Sequence, residues 1–394
     1  TLKLGNGNWA TKEDSLLAYN DENGNFKPLP FDFTRASSAT VVNKQGLIET
    51  VGSGEPRIDF GNDAKGALLL EPSRQNLVSY SEDFTQSPWN NTRVDITSQS
   101  LLNPKGELSA NKIESNNSAE SFIQSSIGFT SSTSQVFSYF AKKGNANFTH
   151  ITFFDGTANG CRQWFDLENG VLGTSTSFGS GITVDGANIE DFGNGWYKVS
   201  VISSTPSITS LISRINISET NGVTSSAVGS YIYSTMAQFE VGSYATSYIP
   251  TQGSAVTRVA DVSSQTVPSG IISQTSGTLF IEFPNLDNTF AFIGLSESGG
   301  NSNRMVIYSS GDNILDAQFR QDSVVKLSAS TGVLSGVVKV SLSFSSTESV
   351  LYVNGSQISV GTASVWSALN EFNLNQANQI GAKVSEIKYY NTRL

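Results

Sequence analysis

The sequence predicts an all-β protein: an extended N-terminal region followed by two antiparallel β-sandwiches. Three observations lead there. Apolar residues recur in short runs that alternate with polar ones, the period of a half-buried strand, and no stretch shows helical spacing. The chain carries 35 Gly, several in Asn-Gly or Asp-Gly pairs that close hairpins, beside 23 Phe and 12 Tyr, which favour strands. At 394 residues it exceeds what one hydrophobic core organises, so more than one domain is expected.

The first region spans residues 1–75. Its opening, to Lys27, is polar and cut by turns, with Trp9, Leu17 and Tyr19 among its few apolar anchors. Two readings stay open: a loosely ordered terminus, or a docking peptide that orders on a larger surface with Trp9 as buried anchor. From Pro28 onward come brief extended segments at Ala39–Val42, Gly46–Val51, Arg57–Phe60 and Ala67–Leu70. Each is too short to be stable alone, so the region needs a partner surface, either the following domain or another copy of the chain. Arg35, Arg57 and Arg74 punctuate it, each with acids close in sequence: Asp32, then Glu55 and Asp59, then Glu71. These arginines are candidate carboxylate clamps between subunits, or else ordinary solvated pairs worth little.

Residues 76–257 read as a sandwich of longer strands. Alternation puts Tyr197, Val199 and Val201 on one face of WYKVSV and Trp196, Lys198 and Ser200 on the other. In CRQWFDL it sets Cys161, Gln163, Phe165 and Leu167 against Arg162, Trp164 and Asp166. The same rule unites Phe137, Tyr139 and Ala141; sets Thr149, Ile151 and Phe153 against His150; and groups Tyr231, Tyr233, Ala237, Phe239 and Val241 on one face. The ends of the block, NLVSYSEDF and ATSYIPT, are expected to pair. Residues 258–276, rich in Ser, Gln and Thr, read as a linker. Residues 277–394 form a second sandwich. There Leu279, Ile281 and Phe283 point inward, as do Val338, Val340, Leu342 and Phe344, and Asn354-Gly355 closes a type I′ hairpin.

Catalysis finds little support. There is no nucleophile elbow, zinc-ligand spacing or phosphate loop, and the lone His150 lies inside an aromatic strand. Cys161, the single cysteine, has no activator in sequence and reads as a buried thiol. No enzyme activity, cofactor or metal is therefore expected. Binding finds more support. Trp164 between Arg162 and Asp166 is a candidate platform for a sugar ring, with polar neighbours for its hydroxyls, and Trp196 with Lys198 is a second. The alternative is that these tryptophans cover an interface. Trp366, Tyr308 and Arg320 are weaker candidates in the second sandwich. The net charge of −10 and the lack of a basic cluster argue against nucleic acid. No apolar stretch is long enough to span a bilayer, so membrane insertion is not expected.

Several of these stretches carry a resemblance. The run FTRASSATVVNKQGLIETV, GEPRIDF and GALLLEPSRQNL, with YSEDFTQSPW and the later SYIPTQGSAVTRVAD, resembles a module of tailed-bacteriophage fibre and spike proteins. The opening LGNGNWATKEDSLLAYNDENGNFKPLPF looks like the leader of that module in phages of Bacteroidetes-type hosts. The middle block resembles jelly-roll carbohydrate-binding modules in pattern, and IGAKVSEIKYYNTRL resembles the closing strand of concanavalin-like (laminin-G-like) sandwiches. The resemblance implies a virion fibre or spike subunit, made in the host cytoplasm and displayed on the virion surface. It implies a homotrimer attached to capsid or tail proteins through its N-terminal region, with the sandwiches engaging host-surface polysaccharide. Rival expectations are a virion-associated polysaccharide depolymerase, a secreted bacterial lectin or adhesin, and a capsid decoration protein without ligand.

Overall fold

The computed structural model describes residues 2–4, 9–12, 15–18, 29–61, 64–130, 134–204, 208–284, 286, 292–297, 300, 302–311, 313–362, 366, 369–374 and 382–394. The described residues are all-β: antiparallel strands and turns without an α-helix. The chain divides into two compact units. One comprises Thr1–Gln45, Glu49–Ser73 and Val259–Leu394; the other comprises Gly46–Ile48 and Arg74–Arg258.

This division corrects the expected boundaries at both ends. The early segment does not form a region of its own, because its partner surface is the C-terminal sandwich of the same chain. Phe31, Phe33, Leu68 and Leu70 are buried in one core with Leu279, Ile281, Val340, Leu342 and Phe372. The expected linker is not a linker either. Strand Val262–Thr266 lies inside a nine-stranded sheet, paired to Leu29–Thr34 on one side and Glu371–Asn373 on the other. Its Ser, Gln and Thr composition suits a strand flanked by hydrogen-bonded neighbours, which composition alone cannot tell from a flexible crossing.

The second layer of this unit is a six-stranded sheet that includes Gly277–Phe283, Val338–Phe344 and Glu348–Val353. Leu279, Ile281 and Phe283 face inward with Val338, Val340, Leu342 and Phe344, as alternation requires. Glu348–Val353 turns back on Ser356–Thr362 through Asn354 and Gly355, both at positive φ (49° and 81°), the type I′ geometry. Trp366, a weaker binding candidate, is core: its ring stacks on Phe319 at 5.9 Å.

The other unit is a sandwich of two six-stranded sheets. One runs in the order Asn90–Thr92, Phe122–Gly128, Ser210–Ser218, Phe148–Phe154, Gly160–Asp166, Val171–Phe178. The other runs Val94–Leu102, Leu108–Ser115, Tyr231–Val241, Gln135–Lys143, Trp196–Ser203, Gly186–Asp191. Between them lie Phe137, Tyr139, Ile151, Phe153, Phe165, Val199, Val201, Ile215 and Phe239. The ends of the block meet: Tyr80 bridges Gln252, and the Ser81 and Tyr248 hydroxyls lie 2.6 Å apart.

One face assignment fails. Ile232, Ala237 and Phe239 are core residues, so Tyr231 and Tyr233 face the opposite way from Ala237 and Phe239. The register with Gln135–Lys143 shifts between Ser138 and Phe140, beside Met236 at φ +55°. A bulge adds one residue and inverts the alternation beyond it.

Candidate functional site

Arg35 and Arg57, expected as clamps between subunits, bind carboxylates of their own chain. Arg35 donates from Nη1 to Asp261 Oδ1 at 2.9 Å and from Nη2 to the Gly52 carbonyl at 2.6 Å. Arg57 donates from Nη1 to Glu71 Oε2 at 2.6 Å and to the Thr40 carbonyl at 3.0 Å, and from Nη2 to Asp261 Oδ2. The Glu71 amide donates to Asp261 Oδ2 at 2.8 Å, and the Asp261 amide returns a bond to the Glu71 carbonyl at 2.9 Å. All four side chains are buried. Burial pushes the Arg57 guanidinium down, yet Asp261 and Glu71 outweigh it, so its pKa lies above the ordinary arginine value.

The acids closest in sequence take other roles. Asp32 is exposed between Phe31 and Phe33, Glu55 accepts from the Gly52 amide at 2.6 Å, and Asp59 pairs with Lys383 at 2.8 Å. Arg74 pairs in strand register with Arg258, its guanidinium 5.2 Å from the Tyr244 ring centre. Trp9 and Leu17 fall on the paired strands Trp9–Lys12 and Ser15–Ala18, which extend the nine-stranded sheet at its edge; Tyr19 lies outside the described residues.

The expected sugar platforms are closed. Trp164 is 1% exposed and Trp196 4%. Trp164 stacks on His150 at 4.6 Å and donates from Nε1 to the Val223 carbonyl at 3.1 Å; Trp196 donates to the Leu102 carbonyl at 3.1 Å. Alternation assigned each Trp to the outer side of its sheet correctly, but there the loop at Val223 meets Trp164 and the end of strand Val94–Leu102 meets Trp196. Asp166 caps its own turn, accepting from the Glu168 and Asn169 amides, and the Lys198 ammonium donates to the Thr246 carbonyl at 2.7 Å. Neither is placed to meet a ligand beside its Trp.

Arg162 remains at a partly open surface, in company that the sequence reading did not select. Strand register aligns Gln124, Arg214, Thr152, Arg162 and Thr176 in one row across the outer face of the sheet that contains Phe148–Phe154. Arg214 and Arg162 flank Thr152, two strand spacings apart, about 10 Å between their backbones. Each guanidinium lies over aromatic rings: Arg162 is 4.3 Å from the Phe178 centre, and Arg214 is 4.3 Å from Phe122 and 4.8 Å from Phe154. Such stacking holds a guanidinium flat and leaves N–H edges to donate sideways. Gly160 permits it, since a Cβ there would fall 2.3 Å from the Phe178 ring and from the Phe153 carbonyl.

The next row pairs Phe122, Asn216, His150 and Trp164. His150 is fully buried, and among the described residues neither ring nitrogen has a hydrogen-bond partner. Its closest acid, Glu120, stands with Oε1 3.9 Å from His150 Nε2 and 3.7 Å from an Arg162 nitrogen, accepting from Asn216 Nδ2 at 3.3 Å. Burial lowers the His150 pKa and keeps the ring neutral, the more so beside two guanidiniums and in spite of Glu120. Burial also pushes the Glu120 carboxyl up, but the nearby Arg162 and Arg214 charges help to hold it below its ordinary value. Arg214 is itself depressed, by burial first and by Arg162 as well. The face therefore holds two guanidiniums against one carboxylate. The signal for Arg214 was present in LISRINI, where Leu211, Ile215 and Ile217 are core residues and alternation sends Arg214 outward. Its meeting with Arg162 depends on strand order, which alternation does not encode.

No family model matches this chain, and no curated protein matches it. Among solved structures, domains LG4-5 of the mouse laminin alpha1 chain are similar over 71% of this chain and 88% of that one, at 10% identity and a TM-score of 0.25. At that level the likeness carries no argument about function.

Proposed function

We propose that this chain is a non-enzymatic binding subunit that engages surface glycans through the outer face of the sheet centred on Phe148–Phe154. The observation that carries the reading is the Arg214–Thr152–Arg162 row, rimmed by Phe122, Phe154 and Phe178. Fixed N–H donors between apolar ring faces suit a sugar, whose hydroxyls bond in plane while its C–H face packs on aromatics. We further propose that the subunit is the fibre or spike of a tailed-phage particle, a homotrimer mounted through its N-terminal region and displayed on the virion surface. Several copies would then convert weak sites into firm attachment. The phage-like stretches support this reading. FTRASSAT, GEPRIDF, GALLLEPSR and VTRVAD contribute Arg35, Arg57, Glu71 and Asp261 to one buried ion network, so the resemblance falls on residues that lock the fold.

Screening the full chain against an array of bacterial surface polysaccharides tests the binding reading. Retention of at least one glycan, reduced by R162Q or R214Q, is the expected result. Retention of none, by a protein shown to be folded, overturns it.

A further inference from the structure

A generic sugar site does not need the charges that the outer face of the sheet centred on Phe148–Phe154 carries. This inference rests on the glycan-binding reading and names the class of glycan. Within this cluster, Arg162 and Arg214 set against Glu120, beside a neutral His150, leave one uncompensated positive charge. That excess is local and runs against the chain as a whole, whose net charge is −10. A protein so acidic repels polyanions in general, so any anion it retains must be held by a particular site.

Glu120 indicates what the site is shaped for. Its carboxylate occupies the approach to Arg162 and His150, but at 3.7 and 3.9 Å it is too far to hydrogen-bond either. Arg162 also keeps an unpartnered Nε, and His150 has unpartnered nitrogens on a ring with no exposed surface. Buried polar groups normally find a partner in protein, water or ligand, and among the described residues these three nitrogens have none in protein. Arg214 donates from Nε to Gln124 Oε1 at 3.0 Å, and its guanidinium lies over the Phe122 and Phe154 rings.

We propose that this face takes a carboxylated sugar, a uronic or sialic acid unit of a surface polysaccharide, with its carboxylate held between Arg162 and Arg214. A planar carboxylate matches the guanidinium fork, and its single charge balances the excess. The sugar ring then lies over Phe154 and Phe178, whose rings border the arginines on the side away from Trp164. Glu120 acts as a gatekeeper, repelling the same charge the arginines attract and so limiting affinity.

The test measures binding of the full chain to polygalacturonate and polysialic acid at 150 mM salt. The controls are fully methyl-esterified polygalacturonate, carboxyl-reduced polysialic acid, and dextran sulfate. At least tenfold preference for a carboxylated polymer over its neutralised form is expected. R162Q and R214Q should each lose that preference, R162K should recover only part of it, and E120Q should tighten binding several-fold. Unchanged thermal unfolding of the variants separates loss of the site from loss of the fold. Equal binding of charged and neutralised polymers, lost in R162Q, would overturn the carboxylate and leave the glycan reading intact. Equal retention of dextran sulfate would mark an unselective anion surface and overturn the inference. Binding of no carboxylated polymer, with neutral bacterial glycans still retained on the array, overturns the inference alone. Failure on both overturns the reading beneath it as well.

Discussion

Asp261 stands 226 residues beyond Arg35, yet its Oδ1 accepts a 2.9 Å hydrogen bond from Arg35 Nη1, with both side chains fully buried. The same carboxylate serves Arg57 through its other oxygen. One acid thus ties three separate stretches of chain: the end of strand Leu29–Thr34, strand Arg57–Asp59, and the entry to strand Val262–Thr266.

Asp261→Asn should therefore be costly. It removes the carboxylate that pairs with both buried guanidiniums, and breaking a buried pair on one side typically costs about 3–5 kcal/mol. Chemical denaturation should show a loss of that size in the unit that contains Asp261, with the other unit little changed. A loss under about 1 kcal/mol would mean the network is hydrated and the clamp account is wrong.

Gly160→Ala tests the architecture of the arginine row without touching a charge. The added methyl meets both a backbone carbonyl and the Phe178 ring at 2.3 Å, so the ring must leave its place under Arg162. Destabilisation of about 1–3 kcal/mol is expected from overpacking. Tryptophan and tyrosine signals elsewhere should report an otherwise native fold. A stability equal to wild type would show that the strand has slack there.

His150 makes the same sandwich acid-sensitive. Its folded pKa lies below the free value of 6.5, so the unfolded chain takes up the proton first. Stability is full above about pH 6.5 and falls as pH drops toward the lowered folded value, by up to 1.4 kcal/mol per pH unit. The groups facing the ring are Glu120, Arg162 and Arg214; of these only Glu120 titrates in acid, and its depressed pKa adds a loss of the same sign at lower pH. Melting temperatures from pH 8 to 5 should decline in wild type and flatten in His150→Gln. A decline unchanged in the variant would assign the effect elsewhere.

Cys161 is fully buried in the core of its sandwich, and burial pushes its thiol up to about 12. Since the thiolate is the reactive form, a thiol reagent at pH 8 should label the native protein no faster than it opens, and the denatured protein at once. Rapid labelling of folded protein would contradict the packing described.

Much of the fold was legible because strands write their facing into a two-residue period. Val338, Val340, Leu342 and Phe344 sit in the core where alternation put them, and Asn354-Gly355 makes the turn its residue types demand. The failures have particular causes. At Met236 a single bulged residue inverts the pattern, so Tyr231 and Ala237 part company. At Trp164 the pattern found the correct side of the sheet but not the loop whose Val223 carbonyl covers the indole.

The amino-acid order by itself determined which short segments are strands, where most of them turn, and which side of each is apolar, since these follow from local sterics and from period. It also marked Arg35, Arg57 and Arg162 as residues with work to do, because a chain with 15% charged residues places few charges among apolar runs. Only the tertiary structure decided their partners. Asp261 meets Arg35 and Arg57, and Arg214 meets Arg162, through strand neighbours distant in sequence, and such pairing is settled by the packing of whole sheets, to which no local pattern has access.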